Sequence, residues 1–316
     1  MRTTIWVGIA LLTAAVMGAA DGQQKTHGDT KSSIVKVQMR NIMYHFTDDI
    51  GAHISFLEGD LSPTPGHAVP VFDDDRSFTI AIRSAEISVT TDSLARVLNE
   101  HVFAAADAPL KDISLEAHGN SIKVRGKLHR KGDIPFETEG SLTATPSGEI
   151  RIQTQKIRAV HLPVKGVMDL LGIKIADVIN TKKLQGIRAE KDDLILSPAI
   201  FPPPKISGKI KEVRIEGDSI VQVYGSGVRS PSGDPGENYM SYQGARLKFG
   251  KLTMDDTDLV LLDMNPADPF DFELSHYKDQ LVAGYSKTTP SSGLRVYMRD
   301  YNKLKSEANR AAAPER

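Results

Sequence analysis

Few residues in this chain stand in an order that could do chemistry, and spacing weighs each of them. The segment Glu216–Val221 reads EGDSIV and contains Gly-Asp-Ser. A nucleophilic Ser219 would need a strand-to-helix turn beneath it, with an Asp and a His delivered from a later loop. The residues after Ser219 instead alternate as a β-strand, and no Asp-x-x-His pair follows. Gly217-Asp218 therefore reads as a two-residue hairpin turn. The nine histidines are scattered, without a His-Glu-x-x-His pair for a metal. His101 sits on or beside an apolar stripe and reads as a half-buried packing residue. Gly225-Ser226-Gly227 lacks the Lys-Ser/Thr and the following helix of a phosphate loop. Asp255, Asp256, Asp258, Asp263, Asp268, Asp271 and Glu273 form an acidic band without the alternation and central Gly of an EF-hand. It reads as a solvated turn and edge, with an unpatterned Ca²⁺ site as the alternative. No catalytic residue, metal ligand or cofactor is nominated, and a binding protein is favoured over an enzyme.

The 39 basic and 40 acidic side chains nearly balance, whereas a nucleic-acid binder carries a basic surplus. Arg2 precedes an uncharged run from Ile5 to Ala20, with Gly18 and Ala20 at the spacing a signal peptidase reads. This predicts a secretory signal cleaved after Ala20 and a periplasmic or secreted protein. The alternative is an N-terminal membrane anchor, for which the run is short of the roughly 20 residues a span needs. The chain has no Cys, which excludes disulfides, thiolate metal sites and a lipoprotein cysteine. Export without disulfides suits a bacterial envelope protein.

Residues 21–33 are polar and read as a disordered leader. Ile34 to Phe56 is strand-like, and the proline- and Asp-rich residues that follow read as loop. Phe78, Ile80 and Ile82 alternate, and a phase slip around Ser84–Glu86 suggests a bulge before Ile87 and Val89. A first helix follows with Thr91 as its N-cap. Turn signals near residues 118–120, 131–133 and 146–148 predict an antiparallel meander to about Val160. The stretch HLPVKGVMDLLGIKIADVIN, residues 161–180, repeats its apolar residues at helical spacing. Two hairpins turn at Glu190–Asp193 and at Gly217-Asp218. The Gly/Pro/Ser-rich residues 228–243 mark a boundary. Beyond it, Leu247–Met254 and Leu259–Met264 read as a hairpin through Asp255–Asp258. Phe270, Phe272 and Leu274 alternate, GLRVYM gives a last strand, and the residues from Lys303 read as a helical or frayed tail.

The two amphipathic helices carry the functional expectation. Leu94, Leu98 and Val102 stripe the first. Val164, Val167, Met168, Leu171, Ile175 and Val178 stripe the second. Gly166 and Gly172 each cost that second helix about 1 kcal/mol against Ala, so its surroundings must hold it. The flanking hairpins each offer one apolar face. The fold class that follows is α+β, a highly curved antiparallel sheet wrapped around two amphipathic helices. An additional antiparallel β segment lies at the C-terminus. The expected parts are a signal over 1–20, a leader over 21–33, an α+β domain over 34–227, a loop over 228–243, a β segment over 244–304 and a tail over 305–316. A groove lined by the nine residues named would suit acyl chains.

The order of bulged strand, TTDSLARVLNE helix, meander, LTATPSGEIRIQ and VHLPVKGVMDLLG helix resembles the LmeA-like family of the bacterial envelope. That family is in turn similar in outline to the tubular lipid-binding superfamily of BPI-type proteins. The resemblance covers about residues 77–225 and rests on hydrophobic spacing and turns. It implies a curved sheet around a long helix that holds lipid in a groove. A lipid-modifying activity is attached to the family, but no catalytic residue carries over. The expectation is an exported protein that binds phospholipid or another acyl lipid for transport or presentation, with membrane-surface contact. The alternatives are a phospholipase-like envelope hydrolase and a ligand-free β-rich scaffold.

Overall fold

The computed structural model describes residues 34–129, 133–154, 158–159, 184–191, 193–228 and 236–312. The expected signal and leader, and the second helix with Val164, Val167, Met168, Leu171, Ile175 and Val178, lie outside the described residues.

The chain opens with three long strands in a meander: β1 (Val35–Thr47), β2 (Ile50–Pro63) and β3 (Phe78–Thr90). The strand-like run from Ile34 to Phe56 is thus a hairpin, closed by Asp48-Asp49 between the paired Thr47 and Ile50. Val35, Val37 and Met39 face inward at period two and are buried. The phase slip in β3 falls at Arg83, just before the expected place. Glu58 pairs with Ser84 and Gly59 with Ile82, so Arg83 is the extra residue. The inward phase then resumes at Ala85 and Ile87.

Helix α1 (Thr91–Val97) follows directly, continued by a wider π-type turn over Leu98–Val102. Its N-cap is Thr90, one residue earlier than expected, and Thr90 Oγ1 accepts a hydrogen bond from Ser93 N at 3.1 Å. The helix packs on β2, β3 and the first strand of the next sheet. Asn99 ties its end to that strand, donating to Ile113 O and accepting from Ile113 N, both at 2.8 Å. His101 is exposed and packs against no core, because the apolar arc passes through Leu98 and Val102 instead.

The second sheet is the predicted meander: β4 (Leu110–His118), β5 (Ser121–His129), β6 (Asp133–Ala144) and β7 (Ile150–Thr154), each antiparallel to the next. The short β8 (Arg158–Ala159) also pairs with β6. The hairpin β9 (Ile187–Glu190) and β10 (Asp193–Leu196) extends the sheet beside β7. The chain then returns to the first sheet. The short strand β11 (Lys205–Ser207) lies parallel to the start of β3. The hairpin β12 (Ile210–Glu216) and β13 (Ser219–Tyr224) turns at Gly217-Asp218 as expected, and β13 pairs with β3.

The expected C-terminal β segment is present and forms the other half of the first sheet, with strand bounds and pairings that differ from expectation. Its first strand, β14 (Tyr239–Gly244), occupies residues expected in the boundary loop and pairs with β1. The expected hairpin between Leu247–Met254 and Leu259–Met264 does not form. Instead β15 (Leu247–Phe249) and β16 (Leu252–Met254) pair only with each other, and β17 (Thr257–Asp263) pairs with β14. The strands β18 (Phe270–Glu273) and β20 (Leu294–Met298) pair in parallel with β1 and β17. Between them come α2 (Tyr277–Val282) and β19 (Tyr285–Thr288), and α3 (Tyr301–Ala312) forms the tail. The strand order is β12-β13-β3-β2-β1-β14-β17-β20-β19. The class is α+β with mostly antiparallel sheets, and all described residues belong to one compact unit. No described helix is long and apolar enough to cross a membrane.

Candidate functional site

Alternation along the first sheet decides what its inner face presents. Ile220, Gln222 and Tyr224 of β13 stand opposite Val89, Ile87 and Ala85 of β3. Ile87 in turn stands opposite Ile54 of β2, and Ile54 opposite Ile42 of β1. Directly paired residues share a face, so these rows form one apolar floor. The other wall is the segment after β10. It holds a single helical turn, Pro198–Ile200, then Phe201, the three prolines Pro202–Pro204 and β11. Phe201 stacks on Phe46 of β1, with ring centroids 5.3 Å apart, and Tyr44 meets Phe46 edge-on at 5.0 Å.

Between floor and wall lies an apolar cleft with about 550 Å³ of space, its open mouth included. Its lining includes Met39, Tyr44, Ala52, Ile54, Leu57, Ile80 and Ile82, and the wall residues Pro198, Phe201, Pro204 and Ile206. A second, smaller cleft, with about 310 Å³ of space when its open side is included, adjoins it, sharing Val89, Pro198, Phe201 and Gln222 and reaching Leu94 of α1 and Ile150 of β7. Among the described residues, no Asp, Glu, Lys, Arg or His lines either cleft. The polar side chains are Tyr44, Tyr224 and Gln222 in the larger, and Gln222 and Ser197 in the smaller.

Burial pushes the Tyr224 hydroxyl above its ordinary range. Burial does the same to Tyr44, helped by the charges of Asp75 and Glu273. Both hydroxyls are therefore neutral and keep their protons. Tyr224 Oη donates to Gln222 Oε1 at 3.1 Å.

Of the groove residues expected from sequence, Leu94 lines the smaller cleft. Leu98 and Val102 are buried in the core and line neither cleft. The six on the second helix lie outside the described residues. Most of the lining comes from β1, β2, β3 and β13, which no sequence argument nominated. A signal was present in SIVQVY, where Gln222 takes an inward place between Ile220 and Tyr224.

The other sequence candidates resolve differently. Ser219 begins β13 beside its hairpin turn, and its hydroxyl donates to Asp218 Oδ1 at 3.1 Å. The acidic band divides: Asp255, Asp256 and Asp268 are exposed, as a solvated turn requires, Asp258 is half-buried and the remaining three are buried. Arg295 holds Asp258 at 2.8 Å, Arg246 holds Asp255 at 2.6 Å and Lys303 holds Asp268 at 3.3 Å. Asp263, Asp271 and Glu273 are buried, the last two beside His45 and His276 at 3.1 and 2.9 Å. Among the described residues, no three His, Asp or Glu side chains converge as a metal site would require. One end of the core is closed by an aromatic cluster in which Phe72 meets Phe249 and Tyr277, each at 5.1 Å between ring centroids.

In comparisons with known proteins, the chain matches no family model, no curated protein and no solved structure.

Proposed function

We propose that this protein binds the acyl part of a lipid in the cleft between the first sheet and the Ser197–Ser207 segment, and carries or presents that lipid outside the cytoplasm. One observation carries the reading: a cleft walled by aliphatic and aromatic side chains, with no charged group lining it among the described residues. Such a surface gains by covering apolar carbon and offers nothing to a charged metabolite. The resemblance to the LmeA-like family and to tubular lipid-binding proteins supports the same reading, as does the export signal expected over residues 1–20. In this reading the first sheet curls around α1 and the helix expected over residues 161–180. The cleft is then the part of the groove left for the ligand.

The test is native mass spectrometry and lipid extraction of protein purified from an envelope fraction. Co-purified acyl lipid that is not turned over is the expected result. Turnover of that lipid would favour the hydrolase. A protein that neither retains lipid nor takes up an apolar probe is a scaffold, and the proposal falls. The intact mass of the same sample reports export, since cleavage after Ala20 gives a chain beginning at Asp21.

A further inference from the structure

The cleft contains a polar residue that its apolar role does not explain. Gln222 is 5 % exposed and lies on the inner face opposite Ile87. It is one of the four residues shared by the two clefts, so its amide sits where they meet, with apolar space on both sides. The Tyr224 hydroxyl donates to its carbonyl oxygen, which leaves the NH₂ end for the cleft. That nitrogen makes no hydrogen bond within the described residues. A polar side chain on an apolar inner face calls for a partner, and an acceptor carried by a ligand in the cleft would be one. Tyr44 supplies a second neutral hydroxyl in the larger cleft, also without a hydrogen bond within the described residues.

We propose that the two clefts are one site for a neutral, ester- or amide-linked acyl chain, whose carbonyl oxygen accepts a hydrogen bond from the Gln222 amide. The inference rests on the acyl-binding reading and narrows it. A single acceptor with apolar arms on both sides matches a donor placed at the junction of two apolar clefts. A carboxylate or phosphate does not match, because neither cleft offers a cation among the described residues. An ion buried there would be unpaired and would protonate or stay at the mouth. Any charged headgroup therefore remains outside, and the ester or amide link goes in.

The experiment is displacement of the neutral fluorophore N-phenyl-1-naphthylamine from the full chain at pH 8. The competitors are methyl laurate, laurate and tetradecane, delivered from cyclodextrin. Methyl laurate should displace the probe at about ten-fold lower concentration than tetradecane or laurate, the size of one neutral hydrogen bond. Gln222→Met should bring methyl laurate to the level of tetradecane and leave tetradecane unchanged. Equal displacement by methyl laurate and tetradecane in the wild type overturns the polar contact while leaving acyl binding intact. Tighter binding of laurate overturns the neutral class. Failure of the wild type to take up the probe overturns the acyl-binding reading itself. The wild-type ranking decides the matter even where Gln222→Met folds poorly, and Tyr44→Phe gives an independent variant of the second hydroxyl.

Discussion

Replacing Ala52 with Leu separates a ligand cleft from a filled core, because the two give stability changes of opposite sign. Ala52 is 5 % exposed, lies on β2 opposite Tyr44, and lines the larger cleft. The substitution adds three carbons. With room for them, each buried methylene contributes about 0.8 kcal/mol, so the gain approaches about 2 kcal/mol. With the wall already filled, overpacking costs about 1–3 kcal/mol. For a domain of this size, 1 kcal/mol moves Tm by about 2 °C. The expected result is a Tm raised by up to about 4 °C, together with weaker uptake of N-phenyl-1-naphthylamine, since the added side chain occupies ligand space. Differential scanning calorimetry and fluorescence titration of one preparation read both. A Tm lowered by about 2–6 °C with uptake unchanged would refute the reasoning, because the cleft would then have no room and the probe would bind elsewhere.

Three further predictions rest on other parts of the molecule. Gly225 and Gly217 both have φ of +61°, but a Cβ on Gly225 would stand 1.9 Å from Arg83 O, whereas one on Gly217 meets nothing within 4 Å. Gly217→Ala should cost about 1 kcal/mol, the left-handed penalty alone, and Gly225→Ala clearly more, by urea denaturation; equal costs would remove the steric argument. Burial holds the Asp263 carboxyl above its ordinary 3.8, against hydrogen bonds from Asn238 and the Asn265 N–H. The folded state therefore binds that proton more tightly, and the stability it contributes is present below 3.8 and lost as pH rises through the raised value. Asp263→Asn should gain stability relative to wild type over that rise, and a pH-independent difference would contradict it. Ser219→Ala should leave lipid binding and any lipase signal unchanged and move stability by less than about 0.5 kcal/mol; a large loss of turnover would restore the serine as a nucleophile.

The meander β4–β7 was legible because each of its strands ends at a local turn and pairs with its sequence neighbour. Alternation and turn residues then determine both element and partner. The same cues failed after residue 239. Phe270 and Phe272 alternate as a strand should, but nothing in that pattern says that the strand lies parallel to β1, some 230 residues earlier in the chain by the order of pairing. The acidic band misled for a related reason. Asp271 and Glu273 read as surface by residue type, yet β18 is covered on both faces, with α3 packed on it, and their carboxyl groups meet the half-buried His45 and the exposed His276. For the site, periodicity pointed to helix stripes, where a run of Leu and Val is strongest. The cleft lies mainly on sheet residues whose inward phase matters only once four strands are side by side.

Strand β1 has its two edges filled from opposite ends of the chain. On one side β2 follows after a two-residue turn. On the other side come β14 and β18, and the Asn41 side chain donates to Asn238, 197 residues further on. During synthesis, the central strand of the sheet is therefore present from the start with one edge unsatisfied until the chain beyond residue 239 has emerged. Loop closure over such a distance adds little to the equilibrium cost, since it grows only with the logarithm of length. It adds much to the waiting time, because non-local pairing slows folding. Throughout that wait, a row of free backbone donors and acceptors beside Val35, Val37 and Met39 is a template for any other extended chain. A chain cut short before residue 239 should consequently accumulate as aggregate rather than as a smaller binding domain.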